Sequence, residues 1–427
     1  LNVCLKAMPL EYNSANKAPA SMIKEVLPVI LANLDAEGIT TVIIADSAYF
    51  KAATRQSKAD PHYGYKMPCT VPGYEHMNVF LTGNYQGLFY NPRIQDKITL
   101  SLSAIAGHLS GNYQKLGQNV IRSAKYVEKI EDIRDTLETL KQYPVLTCDV
   151  ETYGLSIDVS RIGTIAFAWN QHEGVCLNIN HHLYRSPDER FELRKMFRDY
   201  FTASDSTYIY HNATFDIRCI IYDFFMNADN TNFTAMIDAL DVMYRKVHDT
   251  KIITYLATNN TAENKLSLKE NAFEFAGNYA QEDIQDIKLI RNVVLMEYNL
   301  VDCLSTWYVF NKYHSKMITD DQLDIYNNIF IPSLKNITQM ELTGMPMDMN
   351  SIQIVSRDLK QIMSERTSSL LNEELVQDYL WLEQKKAFIK KNALLKTKFK
   401  PLDDFTSTLN TNSPLQLSGL LYGFLGL

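Results

Sequence analysis

The sequence has no long hydrophobic run and no low-complexity tract, and its cysteines form no closely spaced pair. No apolar segment reaches the roughly 18 residues that a membrane-spanning helix requires, and the first residues lack the basic, apolar leader of a secreted protein. We therefore expect a cytoplasmic protein with no membrane partner. The cysteines lack the spacing of zinc ligands or of a disulfide framework, which indicates buried free thiols. They are Cys4, Cys69, Cys148, Cys176, Cys219 and Cys303.

The composition also lacks an excess of positive charge. The formal net charge of −7 excludes a uniformly cationic surface of the kind that binds polyanions everywhere, although residues 385–400 contain seven lysines and no acid. With 46% hydrophobic and 21% charged residues, the chain has enough apolar content to fold. Its 427 residues correspond to about three domains.

Changes in the sequence pattern predict an α/β protein with three domains. They are residues 1–118, 119–315 and 316–427. The first combines helical spacing of apolar residues at 22–34 with a β-branched run at 41–45. It carries no catalytic pattern. Its histidines lack the spacing of metal ligands. The third shows only helical periodicity, from 321 to 399, with a break near 343–346.

The middle domain mixes strands and helices. The apolar segment 145–151 predicts a strand, and alternating apolar residues at 165–169 and 175–179 predict two more, which together indicate an antiparallel meander. A helix, a strand and a second helix are then predicted at 191–201, 208–210 and 215–225. This mixture is typical of an α/β domain.

Two acids lie in the first of these strands. Asp149 and Glu151 are two residues apart, so their side chains leave the same face of the strand. Paired carboxylates in apolar surroundings repel each other and are costly to desolvate unless a cation compensates, and hard divalent ions prefer oxygen ligands. A metal ion is the simplest explanation of such a pair, but the pair alone does not distinguish a metal site from a solvated strand end.

Two later segments of the sequence also contain an acid that could belong to such a site. Asn212, Phe215 and Asp216 follow a predicted strand and open a helix. The alternative is that Asn212 caps this helix and that Asp216 is a first-turn acid favoured by the helix dipole. Tyr298 and Asp302 are four apart in a predicted helix, which places them on one face, and their alternative is a helix-surface pair.

In order and setting, these segments resemble the three exonuclease motifs of the DEDD superfamily. The motifs are Asp149-x-Glu151, Asn212-x-x-Phe215-Asp216 and Tyr298-x-x-x-Asp302, and the tyrosine is typical of the DEDDy branch. Residues 149–155 and 266–269 are similar to the same domain. The resemblance implies a ribonuclease H-like fold and a metal-dependent 3′–5′ exonuclease.

Segments that follow this domain indicate which group of DEDD exonucleases the chain resembles. Residues 340–348 and 410–417 resemble those that lead from the proofreading exonuclease into the thumb of family A (polymerase I-like) DNA polymerases, and phage-type versions are the most similar. The family's polymerase motifs are missing. The resemblance therefore implies the N-terminal part of such an enzyme, as a fragment or as one subunit whose partner supplies palm and fingers, in the host cytoplasm if a phage encodes it. Residues 1–118 do not resemble a 5′ nuclease, and some phage polymerases carry a degenerate uracil-DNA-glycosylase-like domain there.

The resemblance also implies a two-metal mechanism with Mg²⁺ or Mn²⁺. Asp149, Glu151 and Asp302 would ligate one ion, and Asp149, with Asp216 acting through water, would hold a second about 3.5 to 4 Å away. Tyr298 would orient the attacking water, because a phenol is protonated near pH 7. The frayed or single-stranded 3′ end of a primer-template would be held by the backbone of Thr152 and by Leu155, Asn212 and Phe215.

The lysine-rich stretch lies where the thumb of such a polymerase would cross DNA. We expect phosphate contacts there with little sequence preference, and a solvated helix face is the alternative. The residues concerned are Lys385, Lys386, Lys390 and Lys391.

Two other functions stay open. One is a free-standing exonuclease for RNA processing or repair, similar to the ribonuclease D group, against which the thumb-like C-terminal segments argue. The other is a catalytically silent scaffold that docks a polymerase subunit, against which the retained acids and tyrosine argue.

Overall fold

The computed structural model describes residues 6–13, 17–91, 94–156, 161–258, 265–279, 286–393, 395 and 399–427. Cys4 and part of the lysine-rich stretch, residues 394 and 396–398, lie outside these ranges. The chain forms two compact units, Leu1–Gly344 and Met345–Leu427. The division of the first unit into an N-terminal domain and an exonuclease domain stays a prediction.

The strands occupy short segments of the first unit. They are β1 (Thr41–Ile44), β2 (Met67–Pro68), β3 (Asn78–Leu81), β4 (Ser123–Val127), β5 (Val145–Thr152), β6 (Ile162–Ala168), β7 (Glu173–Asn178), β8 (Thr207–Tyr210) and β9 (Val247–Asp249).

The helices occur in both units. They are α1 (Ala20–Asp35), α2 (Ser47–Thr54), α3 (Ile94–Leu109), α4 (Ile130–Leu140), α5 (Pro187–Ala203), α6 (Ala213–Ile220), α7 (Phe233–Met243), α8 (Thr250–Thr258), α9 (Leu268–Asn271), α10 (Phe273–Ala276), α11 (Asn292–Thr319), α12 (Leu323–Ile325), α13 (Ile331–Thr343), α14 (Met349–Asn372), α15 (Glu374–Asn392) and α16 (Pro414–Ser418). Single π-helical turns extend three of them, at Ile221–Phe225, Tyr326–Phe330 and Gly419–Phe424.

The N-terminal part of the first unit contains a small sheet in the order β1-β3-β2. The sequence predicted α1 and β1, but not β2 and β3, because the segment that contains them is dominated by turn-forming residues. β3 runs parallel to β1 and antiparallel to β2. Apolar residues of α1, α2 and the sheet form one core, which includes Leu31, Tyr49 and Val79.

The larger sheet has the order β4-β7-β6-β5-β8-β9. β5, β6 and β7 form the predicted antiparallel meander, and β8 and β9 continue it on the other side of β5 as parallel strands. Helices pack against this sheet, and the arrangement is a ribonuclease H-like α/β fold. This strand order places β5, which carries Asp149 and Glu151, in the interior of the sheet, between β6 and β8.

Helix α11 packs across the sheet and fixes the distance between the site's elements. Ala166 and Ala168 on β6 present only methyl groups to the helix, so Leu300 and Cys303 of α11 pack directly on the strand. The Cys303 thiol lies 3.2 Å from the carbonyl oxygen of Ala166. Because the backbones approach closely, polar side chains on the sheet-facing side of α11 reach β5.

The second unit is helical, as the sequence predicted, with α14 and α15 as its longest elements among the described residues. Its apolar core joins Val376 and Tyr379 of α15 to Leu409 and Leu420. In the part of the chain that the structure describes, none of the helices combines the length and the hydrophobicity that a membrane crossing requires. The five cysteines within the described ranges are free and buried, as predicted.

Candidate active site

Three of the predicted acids meet where β5 faces α11. Oxygen atoms of Asp149, Glu151 and Asp302 lie within 4.8 Å of one another. β5 delivers the first two because its alternation sends residues 149 and 151 to the same face, and the buried Leu146, Cys148 and Val150 anchor the strand in the core. The structure thus brings Asp302 next to two carboxylates that precede it by 151 and 153 residues in the sequence.

Asp216 lines the same cavity but is turned toward the strand. It is 3% exposed, and its Oδ1 accepts a hydrogen bond of 3.0 Å from the backbone N–H of Val150. This contact ties the first turn of α6 to β5 between the two acids of the strand. Asp216 is therefore not a solvated first-turn acid.

Asn212 occupies the N-cap position of helix α6, as the alternative expected, but its side chain makes no capping hydrogen bond. Its backbone is left-handed, with φ of 71°, and its Oδ1 accepts a hydrogen bond of 3.1 Å from Lys251 Nζ. The carboxylate of Asp249, at the end of β9, instead accepts from the backbone N–H groups of Asn212 (3.2 Å) and Ala213 (2.8 Å). It also accepts from Lys251 N at 2.8 Å, so one buried acid caps both α6 and α8.

The cluster raises the pKa of each of its members. Burial is the largest cause for all four acids, and repulsion by neighbouring carboxylates adds to it for Asp149, Glu151 and Asp216. The pKa of Asp149 lies well above its ordinary value, and that of Glu151 rises to about 8 through burial and the charges of Asp302 and Asp216. Burial raises the pKa of Asp216 to about 8 and that of Asp302 to about 6. Without a cation, the site is short of positive charge.

Two tyrosines and a lysine surround Asp302. The hydroxyl of Tyr279 donates to Asp302 Oδ1, and a hydrogen bond from Tyr298 also lowers the pKa of this acid. Burial, followed by the charges of Asp302 and Glu151, raises the pKa of Tyr298, so its phenol is protonated at neutral pH. Lys269 Nζ lies 5.2 Å from the centre of the Tyr298 ring, and its charge lowers the pKa values of Glu151 and Asp302.

The acids open into a cavity of about 260 Å³. Its wall includes every residue that was predicted to hold the terminal nucleotides, namely Thr152, Leu155, Asn212 and Phe215. Leu155 is 81% exposed, so its apolar side chain is accessible to solvent at the edge of the cavity. Arg218 supports this edge, because its Nη2 donates to the Leu155 carbonyl oxygen at 3.1 Å and its guanidinium lies 5.3 Å from the centre of the Phe215 ring.

The predicted lysines lie in the second unit, on α15. Lys385 Nζ lies 3.7 Å from the centre of the Trp381 ring, and Lys386 pairs with Glu383 at 2.7 Å. Lys390 and Lys391 are exposed in the last turn of the helix. Their contact with DNA stays a prediction.

The donor set fits a hard divalent cation. Asp149, Glu151 and Asp302 offer only carboxylate oxygens, which Mg²⁺ and Mn²⁺ prefer over nitrogen or sulfur. Burial raises the pKa of all three carboxylates, and repulsion by neighbouring acids raises those of Asp149 and Glu151 further, so ionising the cluster is costly. A cation between them would remove that cost, which the single ammonium group of Lys269 only reduces.

Sequence reasoning missed several side chains that support the site. Asp249 caps two helices, Tyr279 donates to Asp302, Arg218 holds the Leu155 loop, and the amide of Asn299 donates to Asp149. A signal existed for Asp249, which precedes a helical segment as a capping residue does. The other three act through tertiary contacts that no local spacing indicates.

Residues 124–291 match the model of a family described as 3′–5′ exonuclease, of the type named for DNA polymerase A. The match ends before Tyr298 and Asp302, which the fold brings to the same site. No curated protein matches the chain in a sequence search.

Solved structures with low sequence identity are also similar to parts of the chain. Brucella melitensis NrnC with bound Mg²⁺ is 16% identical, over 53% of this chain and 98% of that chain, with a TM-score of 0.35. Ribonuclease D of Escherichia coli is 12% identical, over 52% and 51% of the two chains, with a TM-score of 0.32. The POL domain of Pol1 from M. smegmatis, in complex with primer-template DNA and dNTP, is 11% identical over 70% and 40%, with a TM-score of 0.36. By its family match, the chain contains a 3′–5′ exonuclease domain.

Proposed function

We propose that this chain is the proofreading 3′–5′ exonuclease part, or subunit, of a family A DNA polymerase. It would remove nucleotides from single-stranded or mismatched DNA 3′ ends by two-metal hydrolysis. The observation that carries the catalytic part is the convergence of Asp149, Glu151 and Asp302, with Asp216 in the same cavity. The polymerase context is supported by the resemblance of residues 340–348 and 410–417 to the start of a polymerase thumb.

The acids would hold the catalytic ions. Asp149, Glu151 and Asp302 would bind one divalent cation, and Asp149, together with Asp216 through water, would bind the second. When bound, such ions lower the pKa of a coordinated water and neutralise the charge that develops on the leaving oxygen. In hydrolysis, the water oxygen forms a bond to phosphorus, and the bond from phosphorus to the 3′ oxygen of the penultimate nucleotide breaks. The terminal nucleotide leaves with its 5′ phosphate.

Tyr298 would orient the attacking water. Its hydrogen bond with Asp302 holds the phenol next to the acids, and its raised pKa keeps the proton on Oη at neutral pH. A protonated phenol is a poor general base but positions a water well through its oxygen. Lys269, beside the Tyr298 ring, adds positive charge on the side of Glu151 and Asp302.

Preference for a frayed end would follow from the shape of the cavity. Its wall offers Leu155 and Phe215 as apolar surfaces on which an unpaired base can stack. A paired end must first melt, which costs a few kcal/mol, whereas a mismatched end melts more cheaply. Discrimination would therefore arise before the chemical step.

An assay with 5′-labelled oligonucleotides tests the proposal. Single-stranded DNA, a duplex with a mismatched 3′ end, a matched duplex and a single-stranded RNA are compared in Mg²⁺ and in EDTA. We expect stepwise shortening of the first two substrates in Mg²⁺ alone, and no shortening by the double variant Asp149→Ala with Glu151→Ala. Asp238→Asn, at an exposed position on α7, is the control and should retain full activity.

The outcomes separate the competing functions. Faster hydrolysis of RNA than of DNA would favour a ribonuclease D-like enzyme. Absence of any metal-dependent shortening would favour the silent scaffold. Co-purification of the native chain with a protein that has polymerase activity would support the proposed partner, and a monomeric chain with full activity would count against it.

A further inference from the structure

Asn299 is a buried side chain that contacts the acidic cluster and has no role in the mechanism above. It follows Tyr298 on α11 and is completely buried. Its Nδ2 donates a hydrogen bond of 2.6 Å to Oδ2 of Asp149. The proposed mechanism assigns Asp149 to both metal ions. Asn299 therefore contacts the acid that has the largest part in metal binding.

The surroundings of Asn299 fix which end of the amide faces Asp149. Its Oδ1 accepts a hydrogen bond of 3.0 Å from the hydroxyl of Thr164 and lies 3.4 Å from the thiol of Cys176. Both groups are fully buried donors on β6 and β7. A flipped amide would turn its oxygen toward the Asp149 carboxylate, which has no proton to donate when it is ionised, so the observed orientation is the one that pairs both ends of the amide.

The position of Thr164 links this network to the second acid of the strand. Thr164 pairs with Glu151 across the antiparallel β5 and β6 strands. The chain Thr164–Asn299–Asp149 thus starts beside one acid and ends on the other. It joins β5, β6 and α11, and two of its three side chains, Thr164 and Asn299, are fully buried.

A neutral amide is suited to this position. An arginine or lysine would hold Asp149 equally firmly, but its charge would neutralise part of the charge that attracts a cation. An apolar side chain would leave one oxygen of Asp149 and the Thr164 hydroxyl without a partner. An amide donor restricts the rotation of the carboxylate and leaves its charge intact for a metal ion.

We infer that Asn299 is a positioning residue that fixes the carboxylate of Asp149 for binding divalent cations, and that Thr164 sets the orientation of Asn299. The inference rests on the metal site of the proposed function. Groups that hydrogen-bond to metal ligands contribute in this way, and their loss typically weakens metal binding about 10- to 100-fold. A purely structural role would instead change stability alone.

Direct measurement of Mn²⁺ binding separates these roles. Mn²⁺ affinity of the whole chain is determined by electron paramagnetic resonance and by calorimetry, and unfolding is followed in EDTA. Asn299→Ala should bind Mn²⁺ about 10- to 100-fold more weakly than the unsubstituted chain. Asn311→Ala removes an exposed asparagine of the same helix and should leave the affinity unchanged.

The threonine supplies a second pair of variants in case Asn299→Ala does not fold. Thr164→Val keeps the shape of the side chain but loses the hydroxyl, and should weaken Mn²⁺ binding severalfold. Thr164→Ser keeps the hydroxyl and should restore the affinity. Rescue by serine would not be expected if packing alone mattered.

Three results would overturn the inference. They are wild-type Mn²⁺ affinity in folded Asn299→Ala, equal affinities of the valine and serine variants, and absence of Mn²⁺ binding by the unsubstituted chain. Mn²⁺ binding that responds to Asn299 but is accompanied by no release of nucleotides would leave the inference standing and would refute the proposed function. The two failures are therefore distinguishable.

Discussion

Replacing Glu151 with glutamine should stabilise the metal-free protein at neutral pH. Burial and the charges of Asp302 and Asp216 raise the pKa of Glu151 from 4.5 to about 8. The folded protein therefore retains a proton that the unfolded chain has already lost in this range. The contribution to stability is fully present below pH 4.5 and is lost as the pH rises toward 8.

The size of this effect follows from the shift. One pKa unit corresponds to about 1.4 kcal/mol, so ionisation of Glu151 in the unfolded chain lowers the free energy of unfolding by on the order of 3 kcal/mol between pH 4.5 and pH 7. Glutamine has nearly the same shape and does not ionise. The difference in unfolding free energy between Glu151→Gln and the unsubstituted chain should therefore grow by this amount over the same interval.

Urea denaturation in EDTA at several pH values measures this difference. Glu25→Gln is the matched control, because Glu25 is exposed on α1, away from the acids. Addition of Mg²⁺ at pH 7 should stabilise the unsubstituted chain and have much less effect on Glu151→Gln. If the unsubstituted chain and Glu151→Gln show the same pH dependence in EDTA, burial and the neighbouring charges do not raise the pKa of Glu151 as the structure indicates.

Three further predictions concern other parts of the chain. Asp249→Ala leaves backbone N–H groups of α6 and α8 without an acceptor and should lower the free energy of unfolding by about 3 kcal/mol, measured by urea denaturation, with a smaller loss for Asp249→Asn. Tyr298→Phe should reduce the single-turnover rate of nucleotide release about 10- to 100-fold with Mn²⁺ affinity unchanged, and a parallel loss of affinity would contradict an orienting role. Joint replacement of Lys390 and Lys391 by alanine should reduce the slope of log affinity against log salt for primer-template DNA by about 1 to 2, and an unchanged slope would exclude phosphate contacts there.

The sequence predicted those elements whose periodicity is strong. The meander β5–β7, helix α5 and strand β8 alternate or repeat clearly, and each lies near its predicted position. β4 and β9 were missed, because β4 is largely exposed and β9 has only three residues, so neither shows an apolar alternation. The predicted helix at 215–225 ends in a π-helical turn, where Asp223 accepts hydrogen bonds from Arg194 and from Ile162 N.

The candidate site was predictable for a different reason. Asp149 and Glu151 stood out because carboxylates in an apolar strand are costly to bury, and the resemblance to the DEDD motifs added Asp216, Tyr298 and Asp302. The side chains that hold these acids in place could not be predicted from the sequence. Asn299 and Asp149 are 150 residues apart, and their hydrogen bond depends on how closely α11 packs on β6, which no local pattern encodes.

Anomalous diffraction from crystals soaked in Mn²⁺ tests the central claim most directly. We expect a peak between the carboxylates of Asp149, Glu151 and Asp302, and a second near Asp149 on the side of Asp216. No peak at these acids, in crystals that bind Mn²⁺ elsewhere, would contradict a metal-dependent nuclease site in this chain.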